Sequence, residues 1–123
     1  MIEIHLPWPD KRLSPNSHKG WRSKATAAKE ANSIGYWETY KVWDTEAEPA
    51  ERYMSRYTFY PPDKRRRDID NFLSMEKHYQ DGVFACIGID DSAIKETSIT
   101  WGEVVRGGKV TLQLEEMDED NKV

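Results

Sequence analysis

A single cysteine, Cys86, stands among the 123 residues of this chain. It can close no intramolecular disulfide and has no thiol neighbour for a zinc site, so its expected part is that of a small core side chain. Equally absent is any apolar run near the ~20 residues that a membrane-spanning helix needs. The N-terminus, Met1-Ile2-Glu3-Ile4-His5-Leu6, carries an acid where an export signal has its basic segment. The expectation is a cytoplasmic protein with no membrane partner. A chain of this length holds one domain with one modest core, which dimerisation would naturally supplement.

Acids are missing from one long stretch. Between Lys11 and Lys29 stand Lys11, Arg12, Lys19, Arg22, Lys24 and Lys29 without a single Asp or Glu, and Lys64 to Arg67 adds four consecutive cations. The formal net charge is nonetheless −4, which by itself argues against a polyanionic partner, because backbone binding to nucleic acid is driven by cations that displace counterions. The acids that set that balance gather elsewhere: Asp44, Glu46, Glu48 and Glu51 in one connection, and Glu115, Glu116, Asp118, Glu119 and Asp120 near the C-terminus. Charge is thus segregated along the chain, as a local DNA footprint requires.

Taken in order, Ile2, Ile4 and Leu6 alternate with Glu3 and His5, a half-buried strand that ends at Pro7-Trp8-Pro9. Residues 10–20 read as a basic loop. Trp21 to about Trp43 is helix-compatible and rich in alanine, with Gly35 as a weak point. Its aromatic second half, Tyr36, Trp37, Tyr40 and Trp43, is assigned to core or dimer packing. A second strand alternates over residues 53–60 and is stopped by Pro61-Pro62. In the helix that follows, Phe72, Met75, Tyr79 and Val83 draw one apolar stripe and Asp70, Ser74, Lys77 and Asp81 occupy the opposite face. Gly82 interrupts this pattern, and residues 83–89 read as a separate short apolar stretch. Residues 94–105 and 109–115 look like two strands joined as a hairpin by Gly107-Gly108. The expected fold is a single α+β domain over residues 1–117, ordered β-α-β-α-β-β, with a mixed sheet and two main helices. An acidic, disordered tail is expected at 118–123.

The chemistry concentrates in Arg65-Arg66-Arg67-Asp68-Ile69-Asp70-Asn71, in the connection from the second strand into the second helix. Three adjacent guanidinium groups and two acids at i and i+2 are costly to assemble without a partner. A phosphodiester with a divalent ion supplies one: arginine forks match phosphate oxygens, and paired aspartates suit Mg²⁺ or Mn²⁺, which prefer hard oxygen ligands. Asp90-Asp91 follows the next apolar stretch and can join the first pair if the intervening helix returns the chain to the same edge of the sheet. Lys77 shares the helix face of Asp70 and is placed to reach a scissile phosphate. The alternatives are a solvated loop, a helix cap at Asp70 and an ordinary turn at Asp90-Asp91.

Leu6-Pro7-Trp8-Pro9, Leu13-Ser14-Pro15-Asn16, the Arg-rich Asp-x-Asp-Asn core and Ile89-Asp90-Asp91-Ser92 occur in an order and spacing that resemble the RusA family of Holliday-junction resolvases, over nearly the whole chain up to Met117. The resemblance implies a small homodimeric, Mg²⁺-dependent endonuclease of the kind frequent in prophages, which cuts four-way DNA junctions by paired symmetrical nicks. It implies that Asp68, Asp70 and Asp91, with Asp90 as neighbour, hold the metal. The family also uses a catalytic lysine four residues after the second aspartate, where this chain has Ser74, and Lys77 lies one helical step further on. The Pro-Pro that follows the family's N-terminal Trp is replaced here by Pro9-Asp10.

Three function classes follow. The first is a junction-resolving endonuclease with Asp68, Asp70, Asp91 and Lys77 as its catalytic set and Lys11, Arg12, Lys19, Arg22, Lys24 and Lys64 to Arg67 on the DNA. The second is a junction-binding protein whose catalysis is impaired by the Ser74 change. The third is a protein-binding adaptor working through the aromatic helix, which leaves the paired acids unexplained.

Overall fold

The computed structural model describes residues 1–18 and 20–117. The expected tail at 118–123 and Lys19 lie outside the described residues. Four strands and two long helices succeed one another as β1 (Ile2–Pro7), α1 (Trp21–Tyr40), β2 (Tyr53–Tyr60), α2 (Ile69–Ile87), β3 (Ile94–Trp101) and β4 (Lys109–Glu116). This is the α+β order read from the sequence.

Alternation decides which face of the sheet is covered. Ile4 and Leu6 of β1, Tyr53, Ser55, Tyr57 and Phe59 of β2, and Val110, Leu112 and Leu114 of β4 are all buried, because side chains two apart share a face. The other face is polar: Gln113 Nε2 donates to Glu3 Oε1 at 2.9 Å, and Arg56 pairs with Glu115 at 3.2 Å. Met75, Tyr79, Val83, Phe84 and Ile87 of α2 fill the core from the covered side. α1 packs along α2, where Gly35 and Gly82 meet the facing backbones. Neither glycine is a weak point; each is a site of close approach.

The sheet order is β1-β4-β2-β3. β4 runs antiparallel to both β1 and β2, and β2 runs parallel to β3. β1, β2 and β3 therefore point the same way. The Gly107-Gly108 turn does form, with both residues in the left-handed region at φ 81° and 73°, but the strands it follows and precedes do not pair. β4 passes over to lie between β1 and β2, so the expected hairpin is corrected to a crossover. β3 also stops at Trp101, earlier than expected.

Two helix boundaries differ as well. α1 ends at Tyr40, where the N–H groups of Val42 and Trp43 both donate to Thr39 O at 2.9 and 2.8 Å and tighten the last turn. Trp37 and Tyr40 are 55% and 51% exposed, so these two aromatics lie off the core, whereas Tyr36 is half-buried and Trp43 packs against the core. α2 continues through the apolar stretch that the sequence set apart, and Gly88 ends it at φ 89° with its N–H on Phe84 O.

Candidate functional site

Because three strands run parallel, their C-terminal ends share one edge of the sheet. The 10–20 loop leaves β1 there, and the 61–68 loop leaves β2 there, so Lys11 and the Lys64 to Arg67 run gather at that edge. The acidic connection 44–51 enters β2 at the opposite edge, where Tyr53 pairs with Glu116 and β4 ends. The segregation seen along the sequence becomes a polarity across the fold.

At the basic edge, a loop is built around Arg67. Its Nη1 donates to Asp63 O at 3.0 Å and to Arg65 O at 2.8 Å, its Nη2 meets Asp63 Oδ1 at 2.7 Å, and its Cζ lies 5.4 Å over the Trp8 ring. With a side chain only 11% exposed, Arg67 is an internal brace. The Arg65 backbone N–H and then Arg67 hold the Asp63 carboxyl below its usual range. Lys64, Arg65 and Arg66 stay exposed; Arg65 reaches Asp63 only at 3.7 Å. Beneath them Trp8, Phe59, Phe72 and Trp101 form an aromatic cluster, with Trp8–Phe72 centroids 5.0 Å apart and Phe59–Trp101 5.6 Å apart.

Asp68 caps α2: its Oδ1 accepts from Asp70 N at 3.1 Å. The cap is therefore Asp68 and not Asp70, which sits exposed in the first turn. Asp90 and Asp91 lie at the N-terminal end of β3. In a parallel strand-helix-strand unit the helix carries the chain back to the start of the next strand, so these two acids leave the edge where Asp68 and Asp70 stand. Among the described residues, no group of three or more His, Cys, Asp or Glu side chains is assembled to hold a metal. Asp90 Oδ2 accepts from Ser92 N and Oγ, at 3.2 and 2.7 Å, and these bonds lower its pKa.

Asp91 instead shares a pocket with Lys77. Together with Leu73, Gln80, Ile94 and Thr97 they line this space of about 280 Å³ between α2 and β3. Asp70 lies seven residues up the helix from Lys77, roughly 10 Å along its axis. Gln80 was not singled out by the sequence. It is held by the buried Tyr57, whose hydroxyl donates to Gln80 Oε1, and Tyr57 keeps its proton because burial, then Glu76, Asp81 and Asp91, raise its pKa well above the usual value. Nearby, Glu76 is fully buried and neither carboxylate oxygen has a hydrogen-bond partner among the described residues. Desolvation pushes its pKa well up. No sequence pattern marks either residue.

The remaining basic candidates separate. Arg12 is committed, with Nη2 at 2.7 Å from both Asp10 and Glu30. Lys11 and Arg22 are exposed, Arg22 lying 5.4 Å over the Trp21 ring, and Lys24 is half-buried. Lys11 and Arg12 border a further hollow with Ser14, Asn16 and His18.

No family model matches the chain. A protein of Xylella fastidiosa described as "Uncharacterized protein" is 34% identical over 118 residues, which cover 93% of this chain and 76% of that protein. No helix among the described residues is long and apolar enough to cross a membrane. At that identity and coverage, the chain belongs to the same protein family as this Xylella fastidiosa protein.

Proposed function

We propose that the protein is a metal-dependent, structure-specific endodeoxyribonuclease acting on four-way DNA junctions. The observation that carries this reading is the basic edge, where exposed Lys64, Arg65 and Arg66 stand next to Asp68 and Asp70 at the N-terminus of α2. Cations arranged there match phosphate oxygens, and the helix end adds backbone N–H groups and a favourable dipole for an anion. The chain's resemblance to the RusA family supports the same conclusion. A homodimer would present two such edges to a two-fold symmetric junction, and a cytoplasmic location accords with a DNA substrate.

The donor chemistry at Asp68 and Asp70 fits Mg²⁺ or Mn²⁺. Both are exposed aspartates, and Mg²⁺ is commonly held by one or two carboxylates together with substrate phosphates. When bound there, the ion would polarise a phosphoryl oxygen and acidify a water. Lys64, Arg65 and Arg66 position the backbone, and Lys77, beside Asp91 in its own pocket, offers a cation to a second phosphate.

Asp70→Asn tests this. It removes a metal ligand and a negative charge close to phosphate, so junction cleavage is lost while junction binding is kept or strengthened. Loss of binding by a folded Asp70→Asn protein would count against the reading.

A second reading, a junction-binding protein with impaired catalysis, is favoured by the separation of Asp91 from Asp68 and Asp70 and by Ser74 at the family's lysine position. Ser74→Lys discriminates: cleavage gained by an inert parent supports the binder, and a fully active parent eliminates it.

A further inference from the structure

We infer that the basic edge contains a pocket for one unstacked nucleobase, with Trp101 as its stacking surface and Lys64 and Arg65 on the flanking phosphates. The inference rests on the nucleic-acid reading above and goes further, to the state of the DNA that the site prefers.

The pocket has a volume of about 360 Å³ and is lined by Pro61, Val104 and Trp101 on its apolar side and by Lys64, Arg65, Arg67 and Asp63 on its charged side, the Asp63 carboxylate being engaged by Arg67 at 2.7 Å and approached by Arg65 at 3.7 Å. Trp101 is 37% exposed and Val104 44% exposed. Exposed tryptophan beside exposed valine is unfavourable in water. An aromatic ligand that also carries negative charge satisfies both sides at once, and a nucleotide has that combination.

The walls are fixed. Gly102 N donates to Phe59 O at 2.8 Å and Val105 N to Pro61 O at 2.9 Å, which ties the segment after β3 to the end of β2. A side chain at Gly102 would run into Tyr60, 2.6 Å from its ring carbons, so the segment can lie this close only with glycine there. The opposite wall is the loop braced by Arg67, and the inner edge of Trp101 packs on Phe72 at 5.9 Å between centroids. A pre-formed site loses little entropy on binding.

Paired DNA cannot use it. Within a duplex the ring faces of the bases are covered by their neighbours, and only an unstacked base presents a face to Trp101. Unstacked bases occur at branch points, bulges and single-stranded ends. The pocket thus supplies a preference for interrupted duplex that phosphate contacts alone do not give.

The test is an anisotropy titration with chelator present, so that no cleavage enters, using a labelled duplex with one unpaired thymine and the matched, fully paired duplex. Stacking of one base on an aromatic ring is worth roughly five- to one-hundred-and-fifty-fold in affinity. Wild-type protein is expected to favour the unpaired-base duplex within that range. Trp101→Leu and Val104→Glu are expected to abolish the preference while still binding the paired duplex. Val104 is an exposed loop position, so its variant keeps the test decisive if Trp101→Leu fails to fold. Equal wild-type affinity for the two probes, with binding to both intact, overturns the inference and leaves the nucleic-acid reading standing. Absence of binding to either probe overturns both. A preference that survives in the folded variants also overturns it.

Discussion

Gly82 lies so close to Asn32 that a Cβ added to it would stand 1.8 Å from the Asn32 carbonyl oxygen, and one added to Gly35 would stand 2.0 Å from Tyr79 O. The obstructing atoms are backbone, which cannot rotate away. Helix propensity alone gives Gly→Ala a gain of about 1 kcal/mol, whereas overpacking costs about 1–3 kcal/mol and sometimes more. The contact wins. Gly82→Ala and Gly35→Ala are each expected to lower the urea midpoint or prevent folding, while Gly20→Ala, at the N-cap of α1 with no atom within 4 Å of the new Cβ, is expected to cost no more than about 1 kcal/mol of capping. Midpoints unmoved by Gly82→Ala would contradict the helix crossing.

Glu76 is buried with no hydrogen-bond partner for either oxygen among the described residues. Its pKa is raised in the fold by desolvation, so the folded state holds the proton more tightly than the unfolded chain. The stability this confers is fully present below the ordinary glutamate value of 4.5 and is lost as pH rises through the raised value. Glu76→Met removes the buried carboxyl at similar volume and is expected to stabilise the protein at pH 7 by about 1–3 kcal/mol. It also removes part of the decline in stability above pH 4.5. Thermal melts across pH 4 to 8 (roughly, the range over which a raised carboxyl titrates) measure both effects, and a destabilised Glu76→Met would show that the carboxyl has a partner in solution.

Tyr57 holds Gln80 by a hydrogen bond from a hydroxyl on a side chain only 1% exposed. Tyr57→Phe is expected to cost about 1 kcal/mol. In a double-mutant cycle with Gln80→Leu, the two losses are expected not to add. Additive losses would mean that the bond contributes nothing.

Lys64 and Arg66 are exposed cations with no ion pair among the described residues. If each contacts phosphate, replacement by Ala weakens DNA binding at low salt and reduces the slope of log K against log salt concentration by about 1 per residue. Arg12→Ala, which breaks pairs with Asp10 and Glu30, is expected to leave that slope unchanged. An altered slope in the Arg12 variant alone would move the footprint to the 10–20 loop.

Elements with a short period could be read from the sequence. The alternation of Tyr53, Ser55, Tyr57 and Phe59 and the stripe of Phe72, Met75, Tyr79 and Val83 fix both burial and helix or strand type locally, and the structure buries all of them except Phe72, which is half-buried against the same core. Sheet order depends on pairings far apart in sequence, so β4 between β1 and β2 could not be inferred from a Gly-Gly turn. The same topology sends Asp91 away from Asp70, a separation that spacing alone does not show. Glu76 sits between two core positions, where its charge would suggest exposure, and Trp101 enters the site only because β2 and β3 end side by side.

The most direct measurement is cleavage of a synthetic mobile four-way junction and a matched linear duplex by purified protein, with Mg²⁺, with Mn²⁺ and with chelator. Paired, symmetrical nicks confined to the junction are expected, present with either metal and abolished by chelation. Junction binding with no cleavage under either metal would contradict the nuclease reading and leave the protein a junction binder, with Ser74→Lys as the variant to examine for restored activity.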